Sequence, residues 1–150
     1  MNTLTPISKI LNSNRNDDQS TCLDHNNLIS WKVFKEKISG ITSFLKENSA
    51  TDWILFCEDS LNFTLGFLAL LHAGKNIILP PNSQPETIET LSITSTNVLC
   101  DINIQSQNNE VFQIQDISHT NNFNFEELNP ENISLSIFTS GSTGNMKKIT

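Results

Sequence analysis

The residues best suited to chemistry stand together in one stretch, residues 139–148. Hydroxyl side chains fill four of its first five positions, Gly141 and Gly144 stand three apart, and Lys147 follows the second glycine by three. Glycines let the backbone turn tightly and approach a ligand, so that successive N–H groups can converge on an anion. Hydroxyls and a lysine add hydrogen bonds and positive charge. The ligand that fits such a set of donors is a polyphosphate, most simply ATP.

Two common phosphate-binding motifs do not describe this stretch. A Walker loop needs a second glycine five residues after the first and then a lysine, but Met146 occupies that position relative to Gly141. The GxGxxG pattern is absent as well. The plain alternative is a flexible Ser/Gly turn between a strand and the next element. The apolar run that precedes the stretch and the trailing lysine favour the phosphate-binding interpretation.

Other reactive residue types are scattered. The three cysteines form neither a CxxC motif nor any spacing typical of metal ligands. The three histidines show no HxxxH spacing and no nearby pair of glutamates. We therefore expect Cys57 and Cys100 to be buried, reduced thiols, and we expect no metal site. The carboxylates of Asp52, Glu58 and Asp59 are interpreted as solvated charges at a strand end, and Trp31 and Trp53 as core residues. These three cysteines and three histidines are Cys22, Cys57, Cys100, His25, His72 and His119.

Composition narrows the class of protein. The 150 residues predict one domain, and 16 acidic against 9 basic side chains give a net charge of −7. This charge, with Arg15 as the single arginine, argues against a nucleic-acid partner, whose phosphates need a basic surface. The longest uncharged apolar stretch, residues 61–74, is shorter than the roughly 18–20 residues that span a bilayer. No signal-peptide layout is present at the start, and a cytoplasmic location is expected.

Hydrophobic periodicity predicts the elements that position the loop. In the first helix Phe34, Ile38, Ile41 and Leu45 recur on one face, and Ser30 is placed to cap its N-terminus. Helices are expected at residues 31–48, 60–73 and 85–94. Strands are expected at residues 52–57, 76–79, 97–101, 111–115 and 133–138. Asparagine-rich residues 12–27 and 121–132 are interpreted as polar loops.

The order of these elements predicts the fold class. Helices alternate with short apolar strands, which is typical of an α/β fold with a mostly parallel sheet covered by helices. The candidate loop follows the last of these strands directly.

The stretch FTSGSTGNMK, residues 138–147, resembles the phosphate-binding signature of the adenylate-forming superfamily. That signature reads aromatic-T-S-G-[ST]-T-G-x-P-K-G, and nine of its eleven positions are compatible with this sequence. The departures are Met146 for the usual proline and Lys148 for the usual glycine. Upstream, ISWKVFKEKISGITSFLKE, WILFCEDSLNFTLGFLALLHAGKNIILPPNSQPETIETL and TNVLCD resemble the helices and strands that precede the loop in that family. The resemblance covers residues 28–150, and residues 1–27 form a divergent polar segment.

This resemblance implies a function. Such enzymes activate a carboxylate with ATP as an acyl-adenylate and pass the acyl group to a thiol of CoA or of an acyl carrier protein. By similarity, the β- and γ-phosphates would be bound by Thr139, Ser140, Gly141, Ser142, Thr143, Gly144 and Lys147. Mg²⁺ would bridge the phosphates, but the family's metal-binding acid lies beyond these residues. Within the family, CEDS, FLALLHAGK and LPPNSQPETI are most similar to the AMP-ligases of aryl-polyene and xanthomonadin pigment clusters, which act on aryl acids.

The resemblance also carries expectations about the chain as a unit. Residues 28–150 correspond to the N-terminal part of the family's large domain, a partial AMP-binding domain that ends just after the phosphate loop. We therefore expect no adenylation activity from the chain alone, exposed apolar surface near residues 133–138 with a tendency to self-associate, and mobility in residues 139–150. Two alternatives stay open: a non-catalytic remnant or interaction module with weak anion binding, and a phosphate-loop domain unrelated to the ligases.

Overall fold

Six strands form a central sheet, and helices pack on both of its faces. The computed structural model describes residues 4–25, 27–92, 96–121, 125–140 and 146–149. The helices are α1 (Trp31–Glu47), α2 (Ser60–His72) and α3 (Pro85–Leu91). The strands are β1 (Ser20–Asp24), β2 (Asn27–Ser30), β3 (Asp52–Phe56), β4 (Asn76–Leu79), β5 (Thr96–Cys100), β6 (Val111–Gln113), β7 (Leu135–Ser140) and β8 (Met146–Ile149). Short 3₁₀ turns lie at Ile7–Asn12, Ile114–Asp116 and Pro130–Asn132.

The strand order in the central sheet is β6-β5-β3-β4-β7-β8. The pairings β3–β4, β3–β5, β4–β7 and β5–β6 are parallel, and β7–β8 is antiparallel. The strands β1 and β2 form a separate antiparallel hairpin. The predicted α/β class with a mostly parallel sheet is therefore confirmed.

Two apolar cores lie on opposite faces of this sheet. Because side chains alternate along a strand, Trp53 and Leu55 of β3 face the core beneath α1 and α2, while Ile54 faces the core beneath α3. The first core is the larger and contains Trp31 and Trp53, which are 1% and 0% exposed. Both tryptophans are thus core residues, as expected.

Local chemistry explains where the helices begin and end. The Ser30 hydroxyl accepts a hydrogen bond from the Val33 N–H at 3.3 Å, which confirms the predicted cap of α1. Pro85 occupies the first turn of α3, where its missing N–H costs nothing. After α2 the chain turns at Gly74, whose φ of +68° is a left-handed conformation that glycine adopts without strain.

The N-terminal polar stretch departs from the predicted loop. Residues 20–24 form β1 and pair with β2, with a register shift between Ser20 and Cys22. The stretch packs against α1 through polar contacts: the Arg15 guanidinium lies 5.0 Å from the centre of the Trp31 ring, and Lys35 pairs with Asp17 at 2.7 Å. The loop prediction was wrong for residues 20–24 and 27. The two apolar residues of β1, Cys22 and Leu23, are too few to show a period, and they form a strand because they pair with Ile29 and Leu28 of β2.

Three elements differ from the prediction by two or more residues at one end. The helix α3 ends at Leu91, earlier than expected, and residues 93–94 of the predicted helix lie outside the described residues. The strand β6 ends at Gln113, because a 3₁₀ turn begins at Ile114. The strand β7 begins two residues late, because the 3₁₀ turn closes with the Ile133 N–H donating to the Pro130 carbonyl at 3.2 Å.

The cysteines are free thiols of differing burial. Cys100 is buried, as predicted, and burial raises the pKa of its thiol to about 11. Cys57 is only half-buried, which is less than predicted. Burial first, and then the charge of Asp101, raise the pKa of Cys57. Thiols held in the protonated form are weak nucleophiles, so neither residue is a candidate for covalent catalysis.

Among the helices in the described ranges, none has the length and apolar character needed to cross a membrane.

His72, the last residue of α2, gives the fold a pH dependence. Its ring packs edge-on against Phe125 with the ring centres 5.1 Å apart, and its Nε2 is buried with no hydrogen-bond partner. Burial first, and then the charge of Lys46, lower the pKa of His72 from 6.5 to about 4. Between these two pH values the unfolded chain binds more protons at this residue than the folded chain does, so acid favours unfolding.

We expect the free energy of unfolding to fall by about 1–2 kcal/mol from this residue as the pH drops from 6.5 to 4.5, since partial solvent exposure of the ring screens part of the effect. Urea denaturation at several pH values measures the slope. His72→Gln should flatten it over that range. An equal slope in the wild type and the variant would contradict the assignment. The exposed His25 supplies the matched control, since His25→Asn should leave the slope unchanged.

Candidate phosphate-binding site

The carboxyl ends of the parallel strands meet at one edge of the sheet, and polar residues follow them there. Residues 57–59 follow β3, Asp101 follows β5, and the Ser/Gly-rich stretch follows β7. Ligands of open α/β sheets bind outside this edge, most often where the chain changes direction across the sheet. That position lies between β3 and β5, because the chain passes from β3 to β4 on one side and then returns to β5 on the other.

A side chain of the protein already fills that position. The carboxylate of Asp101 accepts hydrogen bonds from the N–H groups of Glu58 and Asp59, at 2.9 and 3.0 Å, and from Asn62 Nδ2 at 3.2 Å. Asp59 in turn caps α2 by accepting from the Asn62 N–H at 2.9 Å. These donors would otherwise suit a phosphate, but they are satisfied by two carboxylates whose charge repels an anion. The crevice between β3 and β5 is therefore a poor nucleotide site.

The sequence interpretation missed the part played by these acids. Asp59, expected to be a solvated charge, is a helix cap, and Asp101 is not among the residues that the sequence predicts for a site. An acidic residue directly after a buried strand, as in NVLCD, is the signal that could have indicated Asp101. Asp52 is also bonded, since its Oδ1 accepts from Asn76 Nδ2 at 3.0 Å and its Oδ2 accepts from the Thr51 hydroxyl at 2.6 Å.

The carboxyl end of β7 carries the predicted phosphate loop. The strands β7 and β8 pair so that Thr139 stands opposite Lys147 and Ser140 opposite Met146. Thr139 is exposed. The hairpin thus brings the first two hydroxyl residues and the lysine of the motif to the same end of the sheet.

The remaining predicted site residues cannot be placed. Gly141, Ser142, Thr143 and Gly144 lie outside the described residues. The predicted contacts of all seven motif residues with phosphates stay a prediction.

The strand β7 is fixed firmly at the base of the loop. It pairs in parallel with β4, and just before it the Ser134 carbonyl accepts from the Ile77 N–H at 2.8 Å. Ser136 is buried, and Phe138 packs against the core beneath α3. A strand held on one side by the sheet and below by a core provides a rigid support for a ligand-binding loop.

Two expectations concern the end of the described chain: the mobility of residues 139–150 and the exposed apolar surface near residues 133–138. Met146–Ile149 form a strand that pairs with β7 and covers its outer edge, and the mobility of residues 139–150 stays a prediction. Exposed apolar surface was expected near residues 133–138 and is confirmed at Ile137, which is 39% exposed. Its cross-strand partner Ile149 is 57% exposed. Self-association through this pair stays a prediction.

The described residues offer no cluster of side chains suited to a metal ion. Within the described ranges, no group of three His, Cys, Asp or Glu side chains is arranged to hold a metal ion. Mg²⁺ is therefore implied by the resemblance alone, and these residues offer no built site for it.

Comparison with solved structures shows what the fold is similar to. The N-terminal subdomain of Klebsiella oxytoca NpsA, solved in complex with 3-hydroxybenzoyl-AMSN, matches with a TM-score of 0.70 and 21% identity over 95% of this chain. The NpsA-ThdA protein, an artificially fused Adenylation-PCP di-domain NRPS from Klebsiella oxytoca, matches with a TM-score of 0.72 and 22% identity over 95% of this chain. A fatty acid AMP ligase from Legionella pneumophila matches with a TM-score of 0.67 and 18% identity over 96% of this chain. No protein-family model and no curated protein sequence matches.

These matches confirm the expected fold. Nearly all of this chain superposes on the three structures, but it covers only 39%, 32% and 29% of their lengths. The chain therefore has the fold of the NpsA N-terminal subdomain and of part of the other two proteins, and it spans less than two-fifths of each.

Proposed function

We propose that this chain is the N-terminal portion of an ATP-dependent ligase that activates an acyl or aryl acid as its adenylate. The observation that carries the proposal is the position of the motif FTSGSTGNMK in a sheet with the adenylation fold. The motif begins in β7, at the carboxyl edge of the parallel strands, and its lysine stands opposite Thr139 in the paired strand. The competing crevice beside β5 is filled by Asp101.

Each residue of the loop has a defined role in this proposal. The N–H groups around Gly141 and Gly144 and the hydroxyls of the loop bind the β- and γ-phosphates, and Lys147 neutralises their charge. Pyrophosphate is the leaving group when a carboxylate attacks the α-phosphorus, so a loop that holds these phosphates orients it in line with the attack. Catalysis of this kind depends on positioning and electrostatics rather than on a covalent nucleophile. Mg²⁺ supplies further neutralisation of the phosphates when bound.

The finer parts of the function follow the resemblance. We propose that the activated acid passes to a thiol of CoA or of an acyl carrier protein. One of the matching structures is a fusion of an adenylation domain with a PCP, which supports a carrier protein as the acceptor. The proposed substrate is a carboxylic acid, and an aryl acid agrees with both the pigment-cluster resemblance and the aroyl ligand named for NpsA.

The proposal is tested by titrating the chain with pyrophosphate and following the heat of binding. We expect saturable binding that weakens about tenfold in Lys147→Gln, because a charge-assisted hydrogen bond to a phosphate is lost. Lys148→Gln is the matched control, since it removes the same charge from the next residue, which is exposed. Its affinity should change less than about twofold, within the range of a screened surface charge.

Two results would contradict the loop assignment. Equal losses of affinity in the two lysine variants would mean that pyrophosphate binding depends only on the local positive charge and not on a specific contact with Lys147. The absence of saturable binding would favour the alternative of a non-catalytic module that keeps the fold.

A separate prediction concerns activity. We expect the 150-residue chain to form no acyl-adenylate from ATP and benzoate, 3-hydroxybenzoate or octanoate, because it spans less than two-fifths of each matching adenylation protein. Mass spectrometry of the quenched reaction measures the adenylate. Its detection above a heat-denatured control would overturn this expectation.

A further inference from the structure

A groove of about 530 Å³ runs between α1 and β6. The strand β6 is the edge strand at the opposite end of the strand order from β8. One wall is a single stripe of α1, formed by Gly40, Ser43, Phe44 and Glu47. The other wall is formed by residues 111–113 and 116–120. We call this feature the α1–β6 groove.

The floor of the α1–β6 groove is aromatic. The rings of Phe44 and Phe112 meet edge to face with centres 5.0 Å apart, and the buried Trp53 ring lies behind both, at 6.4 and 5.6 Å. Phe44 and Phe112 are themselves only half-buried. A half-exposed aromatic pair backed by a buried ring is a rigid apolar surface on which another apolar side chain can pack.

The strand β6 offers unpaired backbone groups beside this floor. It pairs in parallel with β5, and the Val98 N–H donates to the Glu110 carbonyl at 2.9 Å. Because alternate residues of a parallel strand direct their backbone groups to opposite sides, Val111 and Gln113 present theirs to the outer edge. In the part of the chain that the structure describes, no strand pairs with that edge.

The formally charged residues that line the α1–β6 groove are both acidic. Residues 76–146 contain eight Asp or Glu residues but no Lys or Arg. The formal charges among the groove residues are the exposed carboxylates of Glu47 and Asp116, and neither forms an ion pair with a described residue. Lys37, one helical turn before Gly40, is paired with Asp24 at 3.6 Å. The groove therefore lacks a counter-charge of its own.

We propose that the α1–β6 groove docks an extended, basic segment of a partner protein. The segment adds to the outer edge of β6 as a strand, packs an apolar side chain on the Phe44–Phe112 pair, and directs basic side chains toward Glu47 and Asp116. Strand addition supplies affinity through backbone hydrogen bonds, while the pocket and the charges supply selectivity. Because side chains alternate along a strand, the basic residues must stand two positions before and after the apolar residue to share its face.

This spacing makes the proposal testable with three peptides, each acetylated and amidated at its ends. The probe KTFTK has lysines on the same face as the phenylalanine. The permuted peptide TKFKT has the same composition but places both lysines on the opposite face, and ETFTE reverses the charge. Amide shifts of the ¹⁵N-labelled chain are followed at about 20 mM salt, where surface charges are weakly screened.

We expect KTFTK to shift the amides of Phe44, Phe112 and Gln113 and to bind at least threefold more tightly than TKFKT. ETFTE should show no saturable shifts. In the double variant Glu47→Gln/Asp116→Asn, affinity for KTFTK should fall about fivefold, as expected when two surface ion pairs are lost. Glu131→Gln, which removes an exposed acid remote from the groove, should leave the affinity unchanged.

Several outcomes would overturn the proposal. Equal affinity for KTFTK and TKFKT would exclude strand addition in the proposed register. Shifts confined to other regions would exclude the groove. If raising the protein concentration without peptide shifts the same amides, a second copy of this chain is the occupant instead. If phenethylamine reproduces the full effect of KTFTK, the groove is a site for small cations rather than for a strand.

Discussion

Replacing Gly40 by alanine is expected to lower the free energy of unfolding by about 3 kcal/mol or more. A Cβ at this position would lie 2.0 Å from the Ser118 carbonyl oxygen and 2.9 Å from the His119 Cα. Both obstacles are backbone atoms, so neither can rotate away. The segment that contains them must instead move from α1, which would open the core beneath that helix.

Gly66 supplies the matched control for this substitution. It also lies in a helix, but an added Cβ would meet the ends of two side chains, Leu55 Cδ1 at 2.8 Å and Ile114 Cδ1 at 3.0 Å. These atoms can shift, and alanine gains about 1 kcal/mol of helix propensity over glycine. We expect Gly66→Ala to cost about 1 kcal/mol or less. Urea denaturation measures both variants, and comparable losses at the two positions would contradict the backbone argument.

The second large effect is expected at Asp101. Its carboxylate joins the end of β5 to the start of α2 through three hydrogen bonds, two of them to backbone N–H groups. Removing it in Asp101→Ala leaves those donors without a protein partner at a helix N-terminus. We expect a loss of about 2–4 kcal/mol in the free energy of unfolding, since hydrogen bonds to a charged acceptor are the stronger kind.

Two further variants sharpen this prediction. Asp101→Asn keeps one acceptor oxygen and should lose about half as much as Asp101→Ala. Asp116→Ala removes an exposed carboxylate that has no ion pair with a described residue, and it should change stability by less than about 0.5 kcal/mol. If Asp101→Ala is no worse than Asp116→Ala, the carboxylate does not stabilise this edge of the sheet.

The core elements were predictable because their apolar residues recur with clear periods. Phe34, Ile38, Ile41 and Leu45 define one face of α1, and all four are at most 5% exposed. The apolar runs around Trp53 and Val98 likewise predict buried strands, and both strands are confirmed. In each case the side chains that form the hydrophobic pattern also form the core, so the pattern alone is enough to predict the element.

The strands that the sequence did not predict depend on pairing with a neighbouring strand rather than on a hydrophobic pattern of their own. The strand β8 reads MKKI, with two lysines and no alternation that marks a buried face, and it exists through its pairing with β7. The strand β1 pairs with β2 in the same way. Asp101 acts through backbone donors 42 and 43 residues earlier in the chain, which no local spacing can reveal. Of the candidate site, the sequence predicted the loop that follows β7, but not the competing crevice that Asp101 fills.

The β7–β8 hairpin has a consequence for how the loop could be regulated. Residues 141–145 are joined to the sheet through Ser140 and Met146, which face each other in the pair, and β8 forms the outer edge of the described sheet. Any strand that pairs with β8 acts on the same two residues that position the loop. Under the proposed function, edge pairing and anion binding would be linked thermodynamically: by whatever factor a neighbouring strand changed the affinity for phosphate, phosphate would change the affinity for that strand by the same factor.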